Sequence, residues 1–295
     1  MIHNLNNLDP ILLVVNPISG DLDKRDLIRQ VEQAVRPHHP LEIYTTTGTN
    51  DRARVSELLN TFGARRVLVA GGDGTIKMMA EALRDQSTPM GILPFGSANG
   101  LARSLKLPTD LGEALSVALG NQFQEMDALC INNDMCLHMS DLGLNAELIR
   151  HYEGGKVRGK LGYALQTIPT LIDSNMPFTF DVTVDDCSFQ KQGILLALAN
   201  AQQYGTGATV NPTGKIDDGK FEVLLFKKLD MLEIVKTLRE DVQLDDDFME
   251  SFSTAHAEIR CQQPVPFQID GEYYGEVRHL DISILPRHLK IAVVK

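Results

Sequence analysis

Residues 67–84 read "VLVAGGDGTIKMMAEALR", and the fold turns on them. Val67 to Ala70 is a short unbroken apolar run, the pattern of a strand buried on both faces. Ile76, Met79, Ala80 and Leu83 recur at helical spacing and make one apolar face, with Thr75 as the expected N-cap. Between them lie Gly71, Gly72, Asp73 and Gly74. A glycine turn before a helix lets backbone approach a bound group, and the helix start offers free N–H donors and partial positive charge. The same residues also suit a plain turn in which Asp73 bonds its own loop. Asp73 would repel bare phosphate, and fits one only with magnesium between them or as a group that handles a proton.

The pattern repeats on either side. Strands are expected at 11–15, 41–47, 65–71 and 90–96, and helices at 23–35, 50–62, 75–84, 98–105 and 110–120. Short buried strands alternating with amphipathic helices predict a parallel α/β sheet covered on both faces. Ligands of such sheets bind beyond the carboxyl ends of the strands. Four of those ends carry small, hydroxyl-bearing or glycine residues. They are Asn16, Pro17, Ser19 and Gly20; Thr45, Thr46 and Thr47; Gly71 to Thr75; and Gly96, Ser97, Asn99 and Gly100. Together they would floor a nucleotide site. P-loop, dinucleotide-turn, HExxH and GxSxG signatures are absent.

After about Ala128 the character changes. "FTFDVTVDD" (178–186) alternates with period two, and further strands are expected through to "KIAVVK" (290–295), with helices at 160–172 and 230–242. This half reads as a β-sandwich. The expected organisation is an α/β domain over 1–128, with the nucleotide floor, and a β-rich domain over 129–286.

Composition narrows the function classes. The 295 residues are 43% apolar and carry a net charge of −11, which argues against nonspecific nucleic-acid binding. The four cysteines are scattered, with neither a disulfide framework nor zinc spacing. No apolar run has the length of a membrane span, and the N-terminus lacks the features of a signal peptide. A cytoplasmic location is expected, and nothing in the sequence speaks to subunit number. Arg150, Lys156, Arg158 and Lys160 form one basic stretch, either a solvated loop or a docking patch for anionic groups.

Two further turns could carry chemistry. "FQIDGEYYGEV" sets Asp270 and Glu272 around Gly271, which suits either a hairpin turn or a general base whose pKa is raised by its neighbour. "NPTGKIDDGKFEV" could hold a divalent cation through carboxylate and backbone oxygens.

These stretches, in this order, resemble the diacylglycerol kinase catalytic family, which includes bacterial phospholipid kinases and the sphingosine and ceramide kinases. "NPISG", "GGDGT", "GILPFGSANGLARSL", "SDLGLNAELI", "KIDDGKFEV", "IDGEYYGE" and "LDISILPRHLKIAVV" match its motifs almost end to end. The resemblance implies ATP and Mg2+ in a cleft between the two domains, the α/β domain holding the nucleotide and the β-sandwich a lipid. It implies that Asn16, Thr46, Gly72, Asp73, Gly74, Thr75 and Ser97 contact ATP or its magnesium. Pro17, Ser19, Gly20, Gly71 and Asn99 complete the expected nucleotide floor. A structural magnesium is implied at Lys215, Asp218 and Lys220. Glu272 and Asp270 match the carboxylates that activate the lipid hydroxyl, Glu272 ranked first. The closing strand, 287–295, is expected to return to the first sheet. Membrane contact should be peripheral and transient. A soluble-substrate kinase of the NAD kinase type and a non-catalytic binder are the alternatives. The chain departs from the family at Lys77 and Met78, where Asn-Glu is usual, and at Gly100, where Asp is usual.

Overall fold

The computed structural model describes residues 9–20, 23–84, 86–153, 176–185, 187–202, 209–230 and 247–294, with Glu233, Lys236 and Asp245 as single positions. The expected helix over 160–172 lies outside them, as do Lys156, Arg158, Lys160 and most of 230–242. The chain divides into two compact units, one of residues 1–126 with 287–295 and one of 127–286.

The first unit is built from β1 (Ile11–Val15), α1 (Lys24–Val35), β2 (Leu41–Thr45), α2 (Asp51–Leu58), β3 (Arg66–Gly71), α3 (Asp73–Ala82), β4 (Met90–Pro94), α4 (Gly100–Ser104) and α5 (Leu111–Ala118). A π-helical turn, Leu59–Gly63, prolongs α2. β1, β3 and β4 are buried at every residue, as unbroken apolar runs require. The sheet is parallel, with β1 between β2 and β3 and with β4 beyond β3. The C-terminal end of the last strand adds a fifth member, Ile291 pairing in parallel with Met90. Leu27, Val31 and Val35 of α1 pack with Leu13, Leu68 and Leu93 of the sheet. Burying a side chain of this size contributes roughly 1.5–3 kcal/mol, the main stabilising term here. Arg66 is a large charged side chain held inside that unit. It is 2% exposed, and its guanidinium donates to the carbonyls of Ala118 and Gly120 and to Asn121 Oδ1.

The second unit follows with β5 (Phe123–Ile131), β6 (Asp134–Cys136), β7 (Met139–Gly143), α6 (Leu144–Glu153), β8 (Phe178–Val184), β9 (Cys187–Gly193), β10 (Leu195–Ala199), β11 (Phe221–Phe226), β12 (Met249–Thr254), β13 (His256–Ile269) and β14 (Glu272–Ala292). Its strands pair antiparallel from β12 through β11, β10 and β7 to β13 and β14, with β8 paired to β13 and β9 to β8. β8 alternates as its sequence predicts, with Phe178, Phe180, Val182 and Val184 buried and the residues between half-buried. They join Leu196, Phe221, Ile259, Ile269 and Leu280 in one core. The architecture is an α/β domain followed by a β-sandwich domain. No helix among the described residues is long and apolar enough to cross a membrane.

Candidate active site

Because β4, β3, β1 and β2 are parallel neighbours, the four turns that follow them line one edge of the sheet in that order. Adjacent turns touch. Asn16 Nδ2 donates to Thr75 Oγ1 at 3.1 Å, joining the first turn to the third. Within its own turn Asn16 accepts the Ile18 N–H at its side chain and the Ser19 hydroxyl at its carbonyl. Asp73 Oδ2 accepts the N–H of Gly100 at 2.9 Å, and Oδ1 that of Leu101 at 3.0 Å. The GGDG carboxylate therefore holds the start of α4. Asn99 staples the fourth turn, accepting the Gly96 N–H at 2.7 Å and donating to the carbonyls of Pro94 and Gly96. Pro17, Gly20, Gly74 and Ser97 are exposed, and Thr46 is half-buried. Asp51 closes the turn after β2, accepting from Tyr44, from Thr47 and from the Gly48 N–H.

Close approach explains two glycines. A Cβ on Gly96 would lie 2.3 Å from Gly72 Cα, so the two turns meet backbone to backbone. A Cβ on Gly71 would lie 2.5 Å from Thr75 Oγ1. The helix start differs from expectation in one respect. α3 begins at Asp73 with Gly72 as its cap, and Thr75 sits inside the first turn, buried. Asp73 is drawn into that turn by its bonds to the start of α4, where its charge also suits the α3 dipole. No side-chain acceptor caps α3. Lys77 is buried on this helix and Met78 half-buried.

Lys24 is a residue the sequence reading missed. Only 7% exposed, it donates from Nζ to the Phe95 carbonyl at 3.5 Å and lies 5.1 Å from that ring's centroid. Burial pushes its pKa below the ordinary lysine value. A lysine opening a helix, where the dipole favours acids, was the available signal.

In the second unit, Asp270 and Gly271 form a two-residue hairpin between Ile269 and Glu272, with φ of +51° and +88°. Those signs define the tight hairpin that Asp-Gly favours. The Asp270 carboxylate accepts N–H bonds from Leu137 and His138, both at 2.9 Å, and from Met139 at 3.3 Å. The Cys136 thiol also donates to it at 3.4 Å. Its lone pairs are thus committed to one segment of main chain. Glu272 is exposed at the start of β14. The hairpin is further tied by Gln268 and Asp141, buried polar residues that the sequence reading passed over. An aspartate inside the apolar strand "MSDLG" was the signal.

At the other turn, Lys215, Asp218 and Lys220 are exposed. Asp218 Oδ1 accepts the Lys220 N–H at 3.1 Å, and the buried Asp127 accepts the Gly219 N–H at 2.7 Å. Among the described residues no cluster of three or more His, Cys, Asp or Glu side chains is placed to hold a metal. A cation here would draw on one carboxylate, with main-chain carbonyls for the rest, a hard-oxygen set that suits magnesium in kind. Arg150 of the basic stretch is paired with Glu147 and lies 3.9 Å from Glu276.

The fold is an α/β domain with a β-sandwich domain, and comparison with known proteins gives the family. The diacylglycerol kinase catalytic domain matches residues 10–131, and the YegS C-terminal NAD kinase beta sandwich-like domain matches 140–293. "Probable lipid kinase YegS-like" of Chromohalobacter salexigens is 29% identical over 88% of this chain and 86% of its own. "Lipid kinase YegS" of Escherichia coli K12 is 27% identical over 95% and 94%. A solved structure of a diacylglycerol kinase from Bacillus anthracis superposes with a TM-score of 0.74 at 17% identity, covering 97% of both chains, a likeness of fold. The chain belongs to the diacylglycerol kinase catalytic family, and it is an enzyme of the kinase class.

Proposed function

We propose that the protein is an ATP-dependent lipid kinase that transfers the γ-phosphate of ATP to a lipid hydroxyl, with diacylglycerol the first acceptor to test. One observation carries the reading. Asp73 binds the start of α4 through both carboxylate oxygens, so two glycine turns and two helix starts converge on one sheet edge. That edge supplies N–H groups and close backbone approach, which a triphosphate needs. Asn16, Pro17, Ser19, Gly20, Thr46, Gly71 to Thr75, Ser97 and Asn99 form the nucleotide floor in this reading. Lys215, Asp218 and Lys220 would hold a magnesium ion, and the kinase chemistry itself uses magnesium to neutralise phosphate charge.

The chain's own part in the reaction is positioning and proton handling. The acceptor oxygen attacks the γ-phosphorus, the new P–O bond forms as the β–γ bridge breaks, and ADP leaves. The hydroxyl proton passes to the Glu272 carboxylate, the exposed member of the hairpin pair. Asp270 holds the hairpin rather than the proton, because its oxygens already accept main-chain N–H bonds. Lipid reaches the enzyme by peripheral, transient contact with a membrane surface.

The test is transfer of label from γ-labelled ATP with magnesium to diacylglycerol, phosphatidylglycerol, sphingosine and ceramide in mixed micelles, with NAD as a soluble acceptor. Labelled phospholipid product is expected. Transfer to NAD alone, or to no acceptor with folded protein, overturns the reading.

A further inference from the structure

We infer that Gln268, held by the buried carboxylate of Asp141, is a positioning residue that aims the turn carrying Glu272; this rests on the reading of Glu272 as proton acceptor. The two face each other across β13 and β7 and are 1% and 0% exposed. Gln268 Nε2 donates to Asp141 Oδ2 at 2.6 Å, and Asn145 Nδ2 donates to the same oxygen at 2.7 Å. Ser140 Oγ donates to the Gln268 carbonyl at 2.5 Å. An amide has one donating and one accepting end, whereas an ionised carboxylate only accepts. Asp141 therefore sets which way the Gln268 amide faces, and leaves Oε1 pointing to the hairpin. There Oε1 accepts the Gly271 N–H at 2.7 Å.

That N–H belongs to the 270–271 peptide, at the centre of the turn and one residue before Glu272. Both turn residues have positive φ, so the chain direction at the start of β14 depends on how the 270–271 peptide plane is held. Asp270 fixes one side of this peptide through the 137–139 backbone. Gln268 fixes the other. The position itself does not call for a polar side chain. Both side chains are fully buried, and burying an amide and a carboxylate costs desolvation that a leucine or methionine would avoid. The pair gives orientation at the expense of burial energy.

The experiment compares Gln268→Met, the double variant Asp141→Leu/Gln268→Met, and Glu272→Gln with the parent enzyme, reading kcat, KM for ATP and the thermal midpoint. The double variant removes both buried polar partners at once, and the two donors that lose acceptors, the half-buried Asn145 amide and the exposed Gly271 N–H, are reached by water, so the midpoint should stay within a few degrees of the parent. Both Gln268 variants should keep KM for ATP within about twofold and lose kcat by at least about tenfold, the cost of an ill-aimed reactive group. Adding Glu272→Gln to the double variant should cost little more, because the residues act as one unit. Parent kcat in a folded double variant, with Glu272→Gln crippled, overturns the positioning role alone. Parent kcat in Glu272→Gln overturns the proton-acceptor reading and this inference with it. Failure of both Gln268 variants to fold also overturns it, since the pair would then be structural.

Discussion

Asp73 and Gly100, separated by 27 positions, are joined by a 2.9 Å bond from a main-chain N–H to a carboxylate oxygen, and the other oxygen takes the next N–H, that of Leu101. A charge in the tightest turn of the sheet edge thus has a partner in the neighbouring turn. The family's usual aspartate at position 100 is here the glycine whose N–H is bound.

Asp73→Asn should damage both fold and turnover. The amide keeps one acceptor but aims an NH2 at a second N–H. Leaving such a donor unpaired costs about 1–3 kcal/mol. The thermal midpoint should fall by several degrees, and kcat by roughly two orders of magnitude if α4 is part of the nucleotide floor. Unfolding scans with ATP turnover check both; an unchanged midpoint would contradict the tether.

The hairpin carboxylates should separate cleanly. Glu272→Gln should leave the thermal midpoint unchanged, since the side chain is exposed, and lower kcat by about 10²-fold. Asp270→Asn removes an acceptor of main-chain N–H bonds and should destabilise by about 1–3 kcal/mol, measured by urea unfolding. Equal stability losses in the two variants would refute the division of roles.

Gly96→Ala tests the contact between the glycine turns. Its methyl would lie 2.3 Å from Gly72 Cα, against backbone that cannot swing aside. Overpacking of this kind costs typically about 1–3 kcal/mol. The variant should raise the Kd for ATP by at least tenfold in calorimetry, whereas Gly48→Ala, with no atom near the new methyl although its φ of +82° strains a side chain, should leave it near the parent value.

Glu222 gives a pH dependence. Burial lifts its carboxyl above the ordinary range, against bonds from Asn211 and Ser253 that favour the charge. A raised folded pKa means that its contribution to stability is fully present below the unfolded value of about 4.3. It is lost as pH rises through the folded value. Glu222→Gln should therefore flatten the thermal midpoint against pH just above the ordinary carboxylate range. An unaltered profile would refute the assignment.

Much of this molecule is legible in one dimension, and the reasons are periodic. Unbroken runs such as Ile11–Val15 and Val67–Ala70 can only be strands buried on both faces. The alternation of Phe178 to Val184 fixes a half-buried strand. Glycine and small polar residues at each strand end mark the site edge, because they are the residues that such an edge tolerates. The cap of α3 lies three residues before Thr75, which looks like a cap locally. Gly72 takes that place because Asp73 is bound from a segment remote in sequence.

What only the tertiary structure decided is where each carboxylate spends its lone pairs. Asp73, Asp270, Asp218 and Glu272 are alike as letters near glycines. In three dimensions Asp73 holds α4, Asp270 holds the 137–139 backbone, Asp218 closes its own turn and Glu272 stands in solvent. Asp141 and Gln268 lie 127 positions apart, and nothing in either local stretch names the other as its partner. Secondary structure follows from side-chain spacing along the chain. A hydrogen-bond partner is chosen by which segments the fold brings within 3 Å, and spacing does not contain that information.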